Sequence, residues 1–280
     1  MKQRIISAAV GLLILFAVLF FYTGPVLNVA VALVGMLGVF ELYMSEGYHK
    51  KHRFAVAVGL CYAALVPFFS MLSGMREMVT MGAVFVLFGT FLAQHATLRL
   101  EELATIFMGA VMIPYSLSCL VLIRNQFVGV NGTLTLFYIL LALGAAWLAD
   151  SGAYFAGRFF GKHKMSPVVS PHKTVEGAVG GVVADAAGFA LLGFLFQKIM
   201  EAQGTPCSVN YIALAVCGAL CALIGMLGDL SASVIKRQQG VKDFGTIMPG
   251  HGGVLDRFDS VLFVVPFFYL VLQVVRFVTL

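Results

Sequence analysis

One stretch of thirty residues near the end of the chain concentrates the side chains that could do chemistry. The segment 231–260, SASVIKRQQGVKDFGTIMPGHGGVLDRFDS, contains four Lys or Arg, three Asp, one His and five Gly between two long apolar runs. Carboxylates are ligands that Mg²⁺ prefers, whereas cations and exposed backbone N–H groups bind phosphate. These residue types together indicate transfer of a phosphoryl or nucleotidyl group, in which the charge on the transferring phosphorus must be neutralised.

Polar residues recur at helical spacing at the start of this segment. Asp229, Ser233 and Arg237 are four residues apart, and Lys236 adjoins Arg237. On a helix this spacing places a carboxylate, a hydroxyl and two cations on one face. Snorkelling toward lipid headgroups is an alternative role for Lys236 and Arg237, but it does not account for a carboxylate deeper in the same helix.

The rest of the segment is a glycine-rich loop followed by two acidic residues. Five glycines and Pro249 between residues 240 and 253 predict tight turns with exposed backbone N–H groups, which can approach phosphate closely. Asp256 and Asp259 open the next apolar run three residues apart, so on a helix they are close enough to share a metal ion. Helix capping is the alternative for these two residues, and His251 is either a phosphate ligand or a turn residue.

A second polar stretch, DSGAYFAGRFFGKHKMSPVVSPHKTVEG at residues 150–177, adds further charges. It contributes two acidic and six basic or His side chains, which are Asp150, Arg158, Lys162, His163, Lys164, His172, Lys173 and Glu176. A basic loop beside anionic lipid accounts for Lys162 and Lys164. It does not account for Asp150 and Glu176, because ionisable groups at the membrane boundary need a partner, a metal ion or a water-filled cavity.

The composition shows what kind of protein must position these residues. Hydrophobic residues make up 60% of the 280 residues, charged residues only 11%, and the mean hydropathy is +0.97, whereas soluble domains carry about 25% charged residues. We therefore predict an all-α, polytopic integral membrane protein. The net charge of +5 is not gathered in a long basic stripe, so no nucleic acid is expected as a partner.

The apolar residues form about nine runs that are each long enough to cross a bilayer as a helix. The runs are continuous rather than alternating, so strands are not expected. The predicted transmembrane helices cover residues 5–22, 25–43, 54–74, 78–95, 104–123, 133–150, 174–197, 211–229 and 255–278.

The basic residues of the loops predict the orientation of these helices. With the N-terminus in the cytoplasm, thirteen Lys or Arg fall on the cytoplasmic side and four on the outer side. The segment 231–260 then faces the cytoplasm. We expect residues 1–124 to form a transmembrane scaffold and residues 125–280 to form the catalytic region, with its polar loops on the cytoplasmic face of a single integrated membrane domain.

The segment 231–260 resembles the signature of the phosphatidate cytidylyltransferase, or CDP-diacylglycerol synthase, family. The matching positions are Ser233, Lys236-Arg237, Lys242-Asp243, His251-Gly252-Gly253 and Asp256-Arg257-Phe258-Asp259. The stretches DSGAYFAGR and SPHKTVEG are similar to other loops of that family. The resemblance implies that CTP and phosphatidic acid react, with Mg²⁺, to give CDP-diacylglycerol and pyrophosphate for phospholipid biosynthesis. It also implies a multi-pass protein of the cell membrane, in contact with membrane lipids, that forms a homodimer.

The resemblance and the residue chemistry together assign roles to individual positions. The expected catalytic residues are Lys236, Arg237, Asp256 and Arg257. The expected metal ligands, for one Mg²⁺ ion with a second metal ion as an open alternative, are Asp229, Asp256 and Asp259. The expected substrate-binding residues are Ser233, Lys173, Lys242, His251 and Asp243.

Two other functions are compatible with parts of the pattern. A CTP-dependent kinase of polyprenols or other lipid alcohols shares the chemistry, but it releases CDP rather than pyrophosphate. An ion-coupled transporter also uses intramembrane Asp residues. Transporters, however, often show inverted repeats and sites near the bilayer midplane, whereas these polar residues gather at one predicted face and no repeat is visible.

Overall fold

The computed structural model describes residues 2–70, 74–250 and 252–280, with side chains from residue 6 onward. Within these residues the chain forms eleven helices: α1 (Lys2–Phe20), α2 (Val26–Ser45), α3 (Tyr48–Lys51), α4 (Arg53–Phe69), α5 (Met75–Ala93), α6 (Leu100–Phe127), α7 (Gly132–Phe160), α8 (Val175–Ala202), α9 (Tyr211–Gln238), α10 (Leu255–Phe258) and α11 (Val261–Val274). Four short strands lie outside the helices: β1 (Lys164–Ser166), β2 (Ser170–Thr174), β3 (Ser208–Val209) and, after α11, β4 (Val278–Thr279).

Seven stretches of the described chain are helical, long and apolar enough to cross a membrane. They are α2, α5, α6, α7, α8, α9 and the stretch Leu255–Val274, which contains α10 and α11. Two shorter apolar helices are also present. Ile6–Phe20 lies within the predicted span 5–22, and Arg53–Phe69 covers the first part of the predicted span 54–74, of which residues 71–73 lie outside the described residues. The prediction of a nearly all-α membrane protein is confirmed, whereas nine crossings and a cytoplasmic N-terminus stay predictions.

The described residues show two details that the predicted spans do not give. Short strands occur outside the long helices: β1 pairs antiparallel with β2 in the α7–α8 connection, and β3, between α8 and α9, pairs antiparallel with β4, which follows α11. α10 and α11 are separated by a short turn at Asp259 and Ser260, although Ser260 keeps helical dihedral angles (φ −67°, ψ −39°). There the Asp259 side chain accepts the N–H of Ser260 (2.8 Å), and such a local bond competes with the backbone bonds of a helix.

The chain divides into two compact units. The first comprises Met1–Asn125 and Gln238–Phe258, and the second comprises Gln126–Arg237 and Asp259–Leu280. In the first unit, α2 packs against α4 and α10, and α4 packs against α5. The core of the first unit includes Tyr43, which is fully buried and donates its hydroxyl hydrogen to the Ile106 carbonyl (2.7 Å). The glycine-rich loop, defined here as residues 240–254, belongs to this first unit.

The second unit is organised by close antiparallel packing of α7 against α8. Small residues face each other along this contact, and a Cβ added to Gly152 or Gly180 would collide with the opposite helix. Where α7 ends and α8 begins, Gly157 lies against Gly177. Small residues allow membrane helices to approach until their backbones touch, which replaces the hydrophobic driving force that lipid cannot provide. The distance between α7 and α8 is therefore set by backbone contact.

The hairpin β1–β2 joins α7 to α8 and is fastened at the α8 end. Thr174 caps α8 by accepting the N–H of Gly177 (3.1 Å). Glu176 accepts the backbone N–H groups of Lys162 (3.1 Å) and His163 (3.2 Å), and it also contacts the imidazole Nδ1 of His163 (2.6 Å). Glu176 therefore holds the segment that enters the hairpin, which accounts for an acidic residue at this boundary.

Candidate active site

Two ion pairs lie in the second unit at the positions that the sequence singles out. Asp229 on α9 forms an ion pair with Lys173 of β2, and the two side chains are 23% and 24% exposed. Asp259, between α10 and α11, lies with its Oδ2 3.9 Å from Nζ of Lys236, and each of these side chains is 12% exposed. Pairing of this kind is needed where carboxylates are taken out of water.

The two ion pairs belong to one cluster of charges. The carboxylate of Asp259 interacts electrostatically with those of Asp229 and Asp150 as well as with the ammonium group of Lys236. Charges in a partly buried site interact strongly, because the effective dielectric constant there is well below that of water. The cluster therefore places carboxylates and ammonium groups close enough to influence one another.

The predicted polar face of α9 is present in the structure. α9 continues to Gln238, so Asp229, Ser233 and Arg237 lie on one helix. The Ser233 hydroxyl donates to Oδ1 of Asp229 (3.4 Å), as expected for residues one turn apart. Lys236 turns toward Asp259 and is largely buried, whereas Arg237 is exposed.

A cavity of about 460 Å³ in the second unit borders this cluster. The cavity is lined by small residues, by two methionines and by six polar side chains. The polar side chains are Asp150, Tyr154, Arg158, His172, Lys173 and Thr174. Pockets for small ligands typically measure ~300–1,000 Å³. Since Lys173 both lines the cavity and pairs with Asp229, a ligand that enters this space reaches the charge cluster.

In the first unit, Asp256 closes the glycine-rich loop. This residue is 7% exposed, and its Oδ2 accepts the N–H groups of Phe244 and Gly253 (2.9 Å each). Between these two points the chain turns at Gly252, whose φ of +85° lies in the left-handed region that favours glycine. Asp256 lies inside α10, so these bonds close the loop before the helix and do not cap the helix itself. Both bonds end on Oδ2, and a role for Asp256 as a metal ligand stays a prediction.

Glu41, which is not among the predicted site residues, holds the same loop. Glu41 on α2 is 2% exposed, and its two carboxylate oxygens accept the N–H groups of Val254 (2.9 Å) and Leu255 (2.8 Å). The signal that could have identified Glu41 is its place as the lone acidic residue in the apolar run 25–43. A charge in a membrane helix is unfavourable and usually has a function.

The other predicted site residues are not brought into a recognisable group. Lys242, Asp243 and Arg257 are exposed, and His251 lies outside the described residues. Within the part of the chain that the structure describes, no three side chains of His, Cys, Asp or Glu form a group that could hold a metal ion. Asp256 belongs to the first unit and Asp259 to the second, so their sharing of a metal ion stays a prediction.

One further acidic residue of the second unit stands apart. Asp185 on α8 is fully buried, and neither of its carboxylate oxygens has a hydrogen-bond partner among the described residues. Asp150 is one of the charges that act on it. Asp185 therefore interacts electrostatically with one member of the charge cluster, Asp150.

Comparison with known proteins places this geometry in a family. Residues 2–275 match the cytidylyltransferase family. The chain is 33% identical over 281 aligned residues to the phosphatidate cytidylyltransferase of Bacillus subtilis (strain 168), which covers 97% of both chains. It is also 46% identical over 132 residues to the phosphatidate cytidylyltransferase of Staphylococcus aureus (strain COL), and 45% identical over 131 residues to that of Staphylococcus haemolyticus (strain JCSC1435). Each of these last two matches covers 47% of both chains.

A membrane-embedded transferase with a charge cluster beside a ligand-sized cavity is the class that the fold and site define. The chain belongs to the cytidylyltransferase family. The predicted resemblance to phosphatidate cytidylyltransferases is thereby confirmed.

The Lys173–Asp229 pair predicts a specific stability change. Lys173→Met keeps the length of the side chain but leaves Asp229 without its ammonium partner, and we expect unfolding to become easier by about 1–3 kcal/mol, between the values for exposed and buried pairs. Thermal unfolding of purified protein in detergent measures the change. Lys164→Met, at an exposed position of β1 in the same hairpin, is the matched control. Equal unfolding temperatures for the two variants would contradict a stabilising pair.

Proposed function

We propose that this chain transfers a cytidylyl group from CTP to phosphatidic acid, giving CDP-diacylglycerol and pyrophosphate for phospholipid biosynthesis. The observation that carries the proposal is the charge cluster of the second unit, where Asp150, Asp229 and Asp259 lie with Lys173 and Lys236 beside a cavity. The similarity of nearly the whole chain to a protein named phosphatidate cytidylyltransferase supports the choice of both substrates.

The reaction brings two anions together. A phosphate oxygen of phosphatidic acid attacks the α-phosphorus of CTP, and one P–O bond forms while the bond to pyrophosphate breaks. The attacking phosphate is already ionised near neutral pH, since the second pKa of a phosphate monoester is about 6, so a general base is not required. The protein must instead supply positioning and neutralisation of charge. Lys173 and Lys236 provide positive charge within the cluster, and Arg237, Lys242 and Arg257 add exposed cations.

We infer that Mg²⁺ is the cofactor and that Asp229 and Asp259 are its ligands. Mg²⁺ usually binds through one or two carboxylates together with substrate phosphates, so two neighbouring carboxylates fit this ion. When bound, Mg²⁺ supplies Lewis-acid stabilisation of charge on the phosphoryl oxygens. Lys173 and Lys236 orient the two carboxylates and balance their charge before the substrates bind. Asp256, three residues before Asp259 in the chain, is proposed as a third ligand.

The remaining assignments rest on residue type and on the family signature. Ser233, Asp243 and His251 are proposed to help bind the substrates. The homodimer and a second metal ion stay predictions.

Product analysis tests the proposed reaction. Purified protein given CTP, phosphatidic acid and Mg²⁺ should release pyrophosphate and form CDP-diacylglycerol in equal amounts, and chelation of Mg²⁺ should stop both. The matched control replaces phosphatidic acid with a polyprenol. Release of CDP with the polyprenol would identify a lipid-alcohol kinase, and unchanged CTP with both acceptors would contradict nucleotidyl transfer.

Asp256→Asn separates metal binding from loop closure. The amide oxygen of Asn can still accept the two backbone N–H groups, but the charge that makes a hard-cation ligand is lost. If Asp256 binds Mg²⁺, turnover at saturating Mg²⁺ should fall by ~10²–10³ with little change in unfolding temperature. Glu101→Gln, an exposed carboxylate on α6, is the control. A stable Asp256→Asn protein with normal turnover would leave Asp256 with the loop-closing role alone.

We further propose that the glycine-rich loop faces the cytoplasm, on the support of the thirteen-to-four distribution of basic residues and the cytosolic location of CTP. Thr246 is exposed within this loop, so Thr246→Cys provides a label site there. In sealed cells, a membrane-impermeant thiol reagent should not modify this cysteine beyond the background of the parent chain. Inverted membrane vesicles should allow modification. Labelling in intact cells would overturn the orientation.

A further inference from the structure

The carboxylate of Glu41 is bound by backbone N–H groups at the end of the glycine-rich loop and at the start of α10. Each of its oxygens accepts one N–H group, from Val254 (2.9 Å) and from Leu255 (2.8 Å). The loop also closes against the side chain from two directions, because a Cβ added to Gly245 or to Gly253 would lie less than 3 Å from the carboxylate. A side chain at either position would therefore force the Glu41 carboxylate to move.

The position of Glu41 is costly unless the loop is present. Glu41 lies one turn from the end of α2 (Val26–Ser45), where the partial negative charge of the helix C-terminus disfavours an acid. The residue is 2% exposed, so water does not solvate the charge. Two hydrogen bonds from N–H groups to an ionised carboxylate are each stronger than a neutral bond, and they offset this cost.

Glu41 and Asp256 together hold four backbone N–H groups of one short segment. Asp256 binds Phe244 and Gly253, and Glu41 binds Val254 and Leu255. The described residues between Phe244 and Leu255 have no regular secondary structure apart from an isolated bridge between Met248 and Gly252. Two buried carboxylates, rather than a helix or a sheet, thus determine its conformation.

We propose that Glu41 is a positioning residue for catalysis. It fixes the glycine-rich loop and the start of α10, and thereby the segment that carries Lys242, Asp243 and Arg257, without touching the substrates itself. This inference rests on the proposed function for its catalytic part. Misplacement of a reacting group by about 1 Å can lower a rate ~10²-fold, so a loosened loop should be visible in turnover.

Glu41→Gln tests the inference because it changes one oxygen into an NH₂ group. An NH₂ group cannot accept a hydrogen bond, so one of the two backbone N–H groups loses its partner and faces a donor. We expect backbone amides of residues 244–255 to exchange hydrogen at least about tenfold faster, since loss of a hydrogen bond to a charged group has roughly that effect. Exchange in α7 and α8 should stay as in the parent chain. Turnover at saturating substrates should fall about tenfold or more.

The control is Glu46→Gln, which makes the same chemical change just beyond the end of α2 at a residue with no assigned role. It should leave both exchange and turnover unchanged. Gly245→Ala is a second variant that disturbs the contact from the loop side while keeping the charge of Glu41, and it serves if Glu41→Gln does not insert into the membrane. Gly82→Ala, at a glycine with no neighbouring atoms within 4 Å of an added Cβ, is its control.

The outcomes separate the positioning role from the proposed reaction. Faster exchange with normal turnover would show that Glu41 only stabilises the loop, and unchanged exchange would show that it does not hold the loop at all; either result overturns the inference. A parent chain that releases no pyrophosphate would instead contradict the proposed function. The exchange measurement would still report whether Glu41 holds the loop.

Discussion

A carboxylate in or beside a membrane helix needs a partner, and in this protein that requirement joins parts of the chain that are far apart in sequence. Asp229 on α9 finds Lys173 on the hairpin β1–β2. Glu41 on α2 finds the backbone of residues 254 and 255, more than two hundred positions later. Charges that would destabilise a bare apolar helix thus become the points at which loops are attached. The loops that carry the polar chemistry are ordered for this reason.

Helix packing supplies the frame on which these attachments work. In the second unit, α7 and α8 approach until their backbones touch, because glycine and alanine face each other along the contact. Small residues have few or no side-chain rotamers to adjust, so the spacing between the two helices is well defined. Asp150 is carried by α7, and Lys173 is carried by the hairpin that joins α7 to α8. Functional groups on rigid elements keep their geometry better than groups on free loops.

The sequence predicts the helices of this fold better than it predicts which side chains contact one another. Apolar runs identify the long helices, because lipid imposes a length and a continuous apolar character. The four-residue spacing of Asp229 and Ser233 likewise predicts that they share a face of α9, which a local rule can establish. The strands β1–β4 escape this reasoning since they are short and lie outside the long helices. The turn at Asp259 escapes it as well, because it involves one side-chain bond to the next residue.

Which side chains pair with one another depends on tertiary structure, so the sequence alone does not predict these pairs. Nothing in the spacing of Lys173 and Asp229 indicates that they pair, and Lys173 alone looks like one more cation of a basic loop. Asp256 has the residue type of a metal ligand, but the structure shows that it also accepts two backbone N–H groups. Glu41 lies in the half of the chain that reads as scaffold. Its importance becomes visible only when the residues around its carboxylate are known.

The bond between Glu41 and the glycine-rich loop also imposes an order on biogenesis. Glu41 and Val254 are 213 residues apart, and at a synthesis rate of ~5–20 residues per second the ribosome needs roughly 10–40 s to make the intervening chain. During that interval α2 is already available for membrane insertion, while the N–H groups that will bind its acid do not yet exist. The first unit therefore cannot complete its own structure until nearly the whole chain has been made. A nascent chain that stops before residue 254 therefore leaves the acid of α2 without the two N–H groups that bind it in the full chain.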